Sequence, residues 1–159
     1  MEKKFSPGCK LKTIIGQGTY LNGFELYVYD TKINMHKGLK KWFQVHNYKN
    51  ESVGHDVCGM VVENHDLEKR IINDDEYHIF AAMFLCEEFL CTDIIAHECT
   101  HCAFVLERNI FRFVGLYNGD DDTGVAPEER LAYNIGDFTE SIFKTCSKNK
   151  LKIKYFESK

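Results

Sequence analysis

The chain has 159 residues, of which 44% are hydrophobic and 28% are charged, and its formal net charge is −4. This composition is typical of a single globular domain over residues 1–159 and excludes a disordered chain. The negative balance, without a long basic stripe, disfavours a nucleic-acid partner, because phosphate binding needs clustered lysine and arginine. No apolar run approaches the roughly 20 residues of a membrane helix, so we expect no membrane association.

The cysteines and the two ends of the chain suggest a compartment. The first twelve residues are charged and predict no secretory signal. The seven cysteines are odd in number, which is typical of reduced, mostly buried thiols in a cytoplasmic protein. Cys99 and Cys102 have redox spacing, but they fall in an apolar helical run, which favours a structural role. The basic segment 148–159 is interpreted as a solvated tail.

In chain order, the hydrophobic patterns predict a compact α+β domain with the order β-α-β-β-α-α. Three segments rich in aromatic and β-branched residues predict strands: 24–30, 56–64 and 76–85. Three segments with helical spacing and start signals predict helices: 32–46, 92–106 and 126–146. A polar connection over 66–75 should join the last two strands, which we expect to be antiparallel. A loop over 109–126 should separate the last two helices.

The predicted helix at 92–106 contains "AHECTH", in which His97 and His101 stand four residues apart. Residues at i and i+4 share one helical face, so both imidazoles can reach one metal ion. Glu98 lies about 100° around the helix, where it can take a proton from a metal-activated water. This is the H-E-x-x-H pattern of zinc metallopeptidases.

The flanks of this motif are apolar on nearly every side, so we expect a buried helix whose polar side chains need partners. A zinc ion would supply them. The alternative is a pair of core histidines that are satisfied by local hydrogen bonds.

A catalytic zinc site needs a third protein ligand, and no histidine follows His101. Phe104 stands where a metzincin needs glycine, which excludes that class. We expect Glu129, in the first turn of the last helix, to be the third ligand. Its helical face carries two small residues that would let two helices approach closely: Ala132 and Gly136, with Tyr133 between them. Glu128 is the second choice, since its face is a core stripe of Leu131, Ala132 and Ile135. Cys146 and Glu140 are more distant choices. Both acids could instead simply complement the helix dipole.

Two further features could serve catalysis. Tyr133 could donate a hydrogen bond to a developing oxyanion, or it could be a core tyrosine beneath the metal. The strand segment His78–Leu85 would run beside the motif helix, and its free edge could pair with an extended peptide.

The combination of "AHECTH" and the downstream "EERLAY" resembles zincin-type metallopeptidases of the gluzincin kind. It is also similar to small uncharacterised zincin-like proteins of phages and prophages, which place an E-x-x-A-Y element after the motif. The resemblance covers roughly residues 76–143. It implies a small zincin-like α+β domain, with a mixed or antiparallel sheet packed on the motif helix and a following helix that carries a glutamate ligand. It also implies zinc held by His97, His101 and Glu129, with Glu98 as general base.

The residues and the resemblance together predict a zinc-dependent peptidase that cleaves a peptide or protein substrate. If it is phage-encoded, it would act in the cytoplasm of a host cell. The alternative hypothesis is a non-catalytic protein that binds and sequesters a partner on a zincin-like scaffold, because a fold does not guarantee its chemistry.

Overall fold

The computed structural model describes residues 7–17, 22–48, 57–72, 75–114 and 127–155. Four strands are present: β1 (Cys9–Gln17), β2 (Asn22–Tyr29), β3 (Gly59–Ile72) and β4 (Asp75–Cys86). Three helices accompany them: α1 (Lys32–Val45), α2 (Thr92–Val114) and α3 (Pro127–Lys148). A short 3-10 turn, Glu87–Phe89, links β4 to α2. A four-stranded mixed sheet with three helices confirms the predicted α+β class.

The strands form one sheet in the order β1-β2-β4-β3. The β1–β2 and β3–β4 pairs are antiparallel, and the central β2–β4 pair is parallel. The prediction that the 78–85 segment has a free edge is therefore wrong, because β4 lies between two neighbours. Its continuous run of buried residues over 79–86 has the pattern of a strand covered on both faces. Among the described strands, β1 and β3 are the edges.

Helices cover both faces of this sheet. On one face, α1 packs Met35, Leu39, Trp42 and Phe43 against Tyr27 and Phe84, among other residues. On the other face, α2 and α3 pack against Phe24, Leu26 and Val28 of β2. The alternation along β2 follows from the two-residue period of a strand. The motif helix α2 is thus held on the face away from α1.

Several boundaries differ from the predictions. β1 had no predicted counterpart. The polar connection predicted over 66–75 is mostly strand, since β3 continues to Ile72 after an irregularity between Glu63 and Glu68. A solvent-facing edge strand tolerates such polar residues. Helix α2 runs to Val114, well into the predicted loop, and residues 115–126 lie outside the described part.

The end of the described chain is anchored rather than solvated. Leu151 and Ile153 pack against the core. The amide of Lys154 donates to the Leu90 carbonyl at 2.8 Å. Because Leu90 and Cys91 directly precede α2, this contact helps to fix the start of the motif helix.

Candidate functional site

The packing of α2 determines which motif residues face solvent. Its core side consists of residues that are no more than 1% exposed: Ile95, Cys99, Cys102, Ala103 and Leu106. His97 and His101 lie on the opposite side and are exposed, as are Phe104 and Arg108. The expectation of a fully buried motif is thus wrong for the histidines. The apolar residues that flank the motif predicted a helix buried on every side. In the structure they pack against the sheet on one side of α2 and against α3 on another.

The two histidines meet at the surface of α2. Their Nε2 atoms are 3.1 Å apart, and their rings are nearly perpendicular, with centroids 4.7 Å apart. Two imidazole nitrogens bound to one tetrahedral zinc at 2.0–2.1 Å would be separated by about 3.3 Å. The observed spacing therefore fits a shared metal ion. The same distance also fits a direct hydrogen bond between the rings.

Glu98 occupies a different environment from the histidines. It is only 5% exposed and lies against Gly59 of β3. A Cβ atom at Gly59 would come within 2.9 Å of the Glu98 Cγ and Oε1 atoms, so a larger residue there would require the Glu98 side chain to shift. Removal of the carboxylate from water raises the pKa of Glu98 to about 7. A carboxyl group with such a pKa can exchange protons near neutral pH.

The exposed face of α2 adjoins the edge strand β3. Two turns beyond His101, the Arg108 guanidinium pairs with the Glu63 carboxylate of β3. At the other end of this β3 segment, Gly59 touches Glu98. Val61, which lies between Gly59 and Glu63, packs against the core. Glu98 is thus in contact with β3, an edge strand among the described strands.

The first turns of α3 lie farther along α2 than the histidines. Glu107 of α2 accepts two hydrogen bonds from Arg130 Nε, at 3.1 and 3.0 Å, and one from Asn134 Nδ2 at 3.1 Å. Glu107 is six residues beyond His101, or about 9 Å along the helix axis. These hydrogen bonds fix the position of the first turns of α3 along the α2 axis, relative to the motif.

The structure does not bring Glu129 to the histidine pair. Glu129 is exposed, and the side chain of Glu128 lies outside the described part. Among the described side chains, no three His, Cys, Asp or Glu residues form a group that could hold a metal ion. The role of Glu129 as third ligand therefore stays a prediction.

The reasoning that favoured Glu129 over Glu128 is corrected by the packing of α3. Its contact face is the stripe that includes Leu131, Ile135, Phe138 and Ile142, which packs on the core. The small residues Ala132 and Gly136 are exposed, and a Cβ at Gly136 would meet nothing within 4 Å. Large apolar side chains, rather than small ones, determine which face of this helix is buried.

Tyr133 is 65% exposed on α3, which excludes the alternative that it is a core tyrosine.

Cys99 and Cys102 are fully buried, and burial raises the pKa of Cys99 to about 11 and that of Cys102 well above its usual range. Because both thiols of this pair are inaccessible to a dissolved oxidant, the structural interpretation of the pair is supported.

Sequence reasoning missed Gly59, which lies against Glu98. An isolated glycine inside a strand often marks the close approach of another group, and the "CGM" stretch carried that signal.

Comparison with known proteins finds no matching family model, no matching curated protein and no matching solved structure. No helix in the described ranges is long and apolar enough to cross a membrane.

Proposed function

We propose that this protein is a zinc-dependent peptidase with a zincin-like site on α2. The observation that carries the proposal is the His97–His101 pair, whose Nε2 atoms are 3.1 Å apart at the protein surface. A sheltered carboxylate, Glu98, lies next to this pair in the chain. Two exposed imidazoles at this spacing suit a divalent metal, and zinc is the ion that such sites bind most often.

His97 and His101 would hold the ion, and Glu129 is the proposed third ligand, with Glu128 as the alternative. A bound zinc would polarise the substrate carbonyl and lower the pKa of a water molecule. Glu98 would take a proton from the attacking water and deliver it to the leaving amine. Its contact with Gly59 limits the volume in which the carboxylate can move.

Tyr133 is proposed to donate a hydrogen bond to the developing oxyanion. Tyr133→Phe tests this role by removing only the hydroxyl. A drop in kcat of about 10-fold or more with unchanged zinc content would support it. An unchanged kcat would remove Tyr133 from the proposal.

The substrate would be an extended peptide that pairs with the edge of β3. This replaces the β4 edge that the sequence suggested. β3 is an edge among the described strands, and Gly59 brings its backbone against Glu98. Main-chain hydrogen bonds along such an edge bind peptides largely without regard to their side chains.

The first test is zinc content by elemental mass spectrometry. We expect about one zinc per chain, lost in His97→Ala and His101→Ala. His46→Ala is the matched control, because this histidine ends α1 on the other face of the sheet. Glu128→Gln and Glu129→Gln, measured separately, identify the third ligand. A wild type without zinc after metal-replete purification would refute the metal site.

The second test is turnover of a peptide library. Glu98→Gln should retain zinc and the fold but lose cleavage by about 100-fold or more, since general-base catalysis contributes that much. Equal cleavage by wild type and Glu98→Gln would refute the mechanism.

A second candidate function is partner binding without catalysis. Phe104 favours it, because this aromatic side chain is 56% exposed one turn from His101. Exposed aromatic residues are typical anchors of protein interfaces. Binding of a partner should survive Glu98→Gln and weaken in Phe104→Ala, whereas peptidase activity should be lost in the former.

A further inference from the structure

Cys58 and Cys86 lie at the same end of the β3–β4 hairpin, since Cys58 directly precedes β3 and Cys86 ends β4. The antiparallel register pairs Gly59 with Leu85 and Met60 with Phe84. Continued one step beyond the start of β3, this register would place Cys58 opposite Cys86. Met60 and Phe84, together with Cys86, belong to the apolar cluster on the α1 face. Val57 and Met60, on either side of Cys58 in the chain, both pack against this cluster.

The spacing of this register suits a disulfide. Residues directly opposite in an antiparallel pair have Cα atoms about 4.5–5.5 Å apart. Disulfides span Cα distances of about 4.4–6.8 Å. Electrostatics give an independent sign of proximity. Burial is the main cause of the raised pKa of Cys86, and the nearby charge of Cys58 raises that pKa further.

The two thiols differ in access to solvent. Cys58 is half-buried, whereas Cys86 is 1% exposed. A dissolved oxidant can therefore reach Cys58 first, and the buried Cys86 is placed to complete the bond. Both residues are thiols in the structure.

We propose that Cys58 and Cys86 form a reversible cross-strand disulfide when the protein meets a low-molecular-weight disulfide such as oxidised glutathione. The Cys58 thiolate attacks one sulfur of glutathione disulfide, and one glutathione thiolate leaves. The Cys86 sulfur, as it gives its proton to solvent, then attacks the Cys58 sulfur, and the second glutathione leaves. Two protein thiols are oxidised to one disulfide, and one glutathione disulfide is reduced to two thiols.

This bond would act beside the motif. Gly59, which shelters Glu98, is the residue next to Cys58. A disulfide at position 58 would limit the movement of this strand end, and hence of the contact with Glu98. The effect on turnover rests on the proposed peptidase function. The formation of the bond does not.

The test is incubation of native, metal-free protein with graded ratios of oxidised to reduced glutathione, followed by alkylation and non-reducing peptide mapping. We expect one cross-linked species that contains Cys58 and Cys86 and has lost two hydrogen atoms. Cys86→Ser should instead accumulate glutathione on Cys58, and Cys58→Ser should block oxidation of Cys86. Cys9→Ser is the matched control, because Cys9 is also half-buried, and it should form the bond like wild type.

Stable glutathionylation of Cys58 in the wild type, or a bond from Cys58 to another cysteine, would overturn the proposal. So would persistence of both thiols under conditions that oxidise a dithiol peptide. The readout needs neither zinc nor activity. A failed zinc measurement therefore leaves this inference standing, and a failed disulfide leaves the zinc site standing.

Discussion

The environment of Glu98 makes a quantitative prediction for the stability of the metal-free protein. Its carboxyl has an ordinary pKa of 4.5 in the unfolded chain and about 7 in the folded state. The folded state therefore holds its proton more tightly, so stability falls as pH rises from about 4.5 through 7 and then levels off. Each pKa unit corresponds to about 1.4 kcal/mol, which puts the penalty at about 3 kcal/mol at pH 8 and below about 1 kcal/mol at pH 5.

Glu98→Gln removes this charge while it keeps the shape of the side chain. We expect the variant to gain stability relative to wild type between pH 5 and pH 8, by about 2.5 kcal/mol. The assay is urea unfolding of both chelator-treated proteins at several pH values. His97 and His101 are present in both proteins, so their contribution cancels in the difference. Glu129→Gln, at an exposed position, should show no such gain.

The outcome that would refute this reasoning is a stability difference between wild type and Glu98→Gln that does not change with pH. Such a result would mean that water or a positive group reaches the carboxylate in the folded protein. The interpretation that Gly59 shields the Glu98 carboxylate from water would then be wrong.

Three further predictions follow from the packing. Gly59→Ala should displace the Glu98 carboxylate and lower kcat while zinc content stays constant, and an unchanged kcat would argue against the contact. Glu107→Gln should destabilise the protein by about 1–3 kcal/mol in urea unfolding, because its buried donors on α3 lose their charged acceptor. Leu106→Ala should cost about 2–5 kcal/mol, whereas Phe104→Ala should stay within about 0.5 kcal/mol. Equal losses in the last pair would contradict the assigned orientation of α2.

Local signals in the sequence predicted many of the elements well. Thr31 caps α1 as its position suggested, with its hydroxyl accepting from the amide of Asn34 at 3.3 Å. Pro127 begins α3, as expected for a residue that lacks an amide hydrogen. These features depend on a few neighbouring residues. They can therefore be predicted from the sequence without knowledge of the fold.

Non-local features were not readable in the same way. The position of β4 inside the sheet depends on β2, a strand more than fifty residues earlier, and no local pattern specifies that pairing. The exposure of His97 and His101 depends on which sides of α2 meet the sheet and α3. The choice between Glu128 and Glu129 depends on which face of α3 packs on the core, and that depends on the tertiary contacts of the whole helix.

The parallel pairing of β2 with β4 has a consequence for the order of folding. It joins residues 56 or 57 positions apart, such as Asn22 with His78 and Tyr29 with Cys86. The β3–β4 hairpin and α2 form one contiguous segment that contains every motif residue and needs no such long-range closure. Chain segments with local contacts form early, and loop closure over long separations is slow. We therefore expect amide protection to appear first in the segment that holds the histidine pair, and only later along β2.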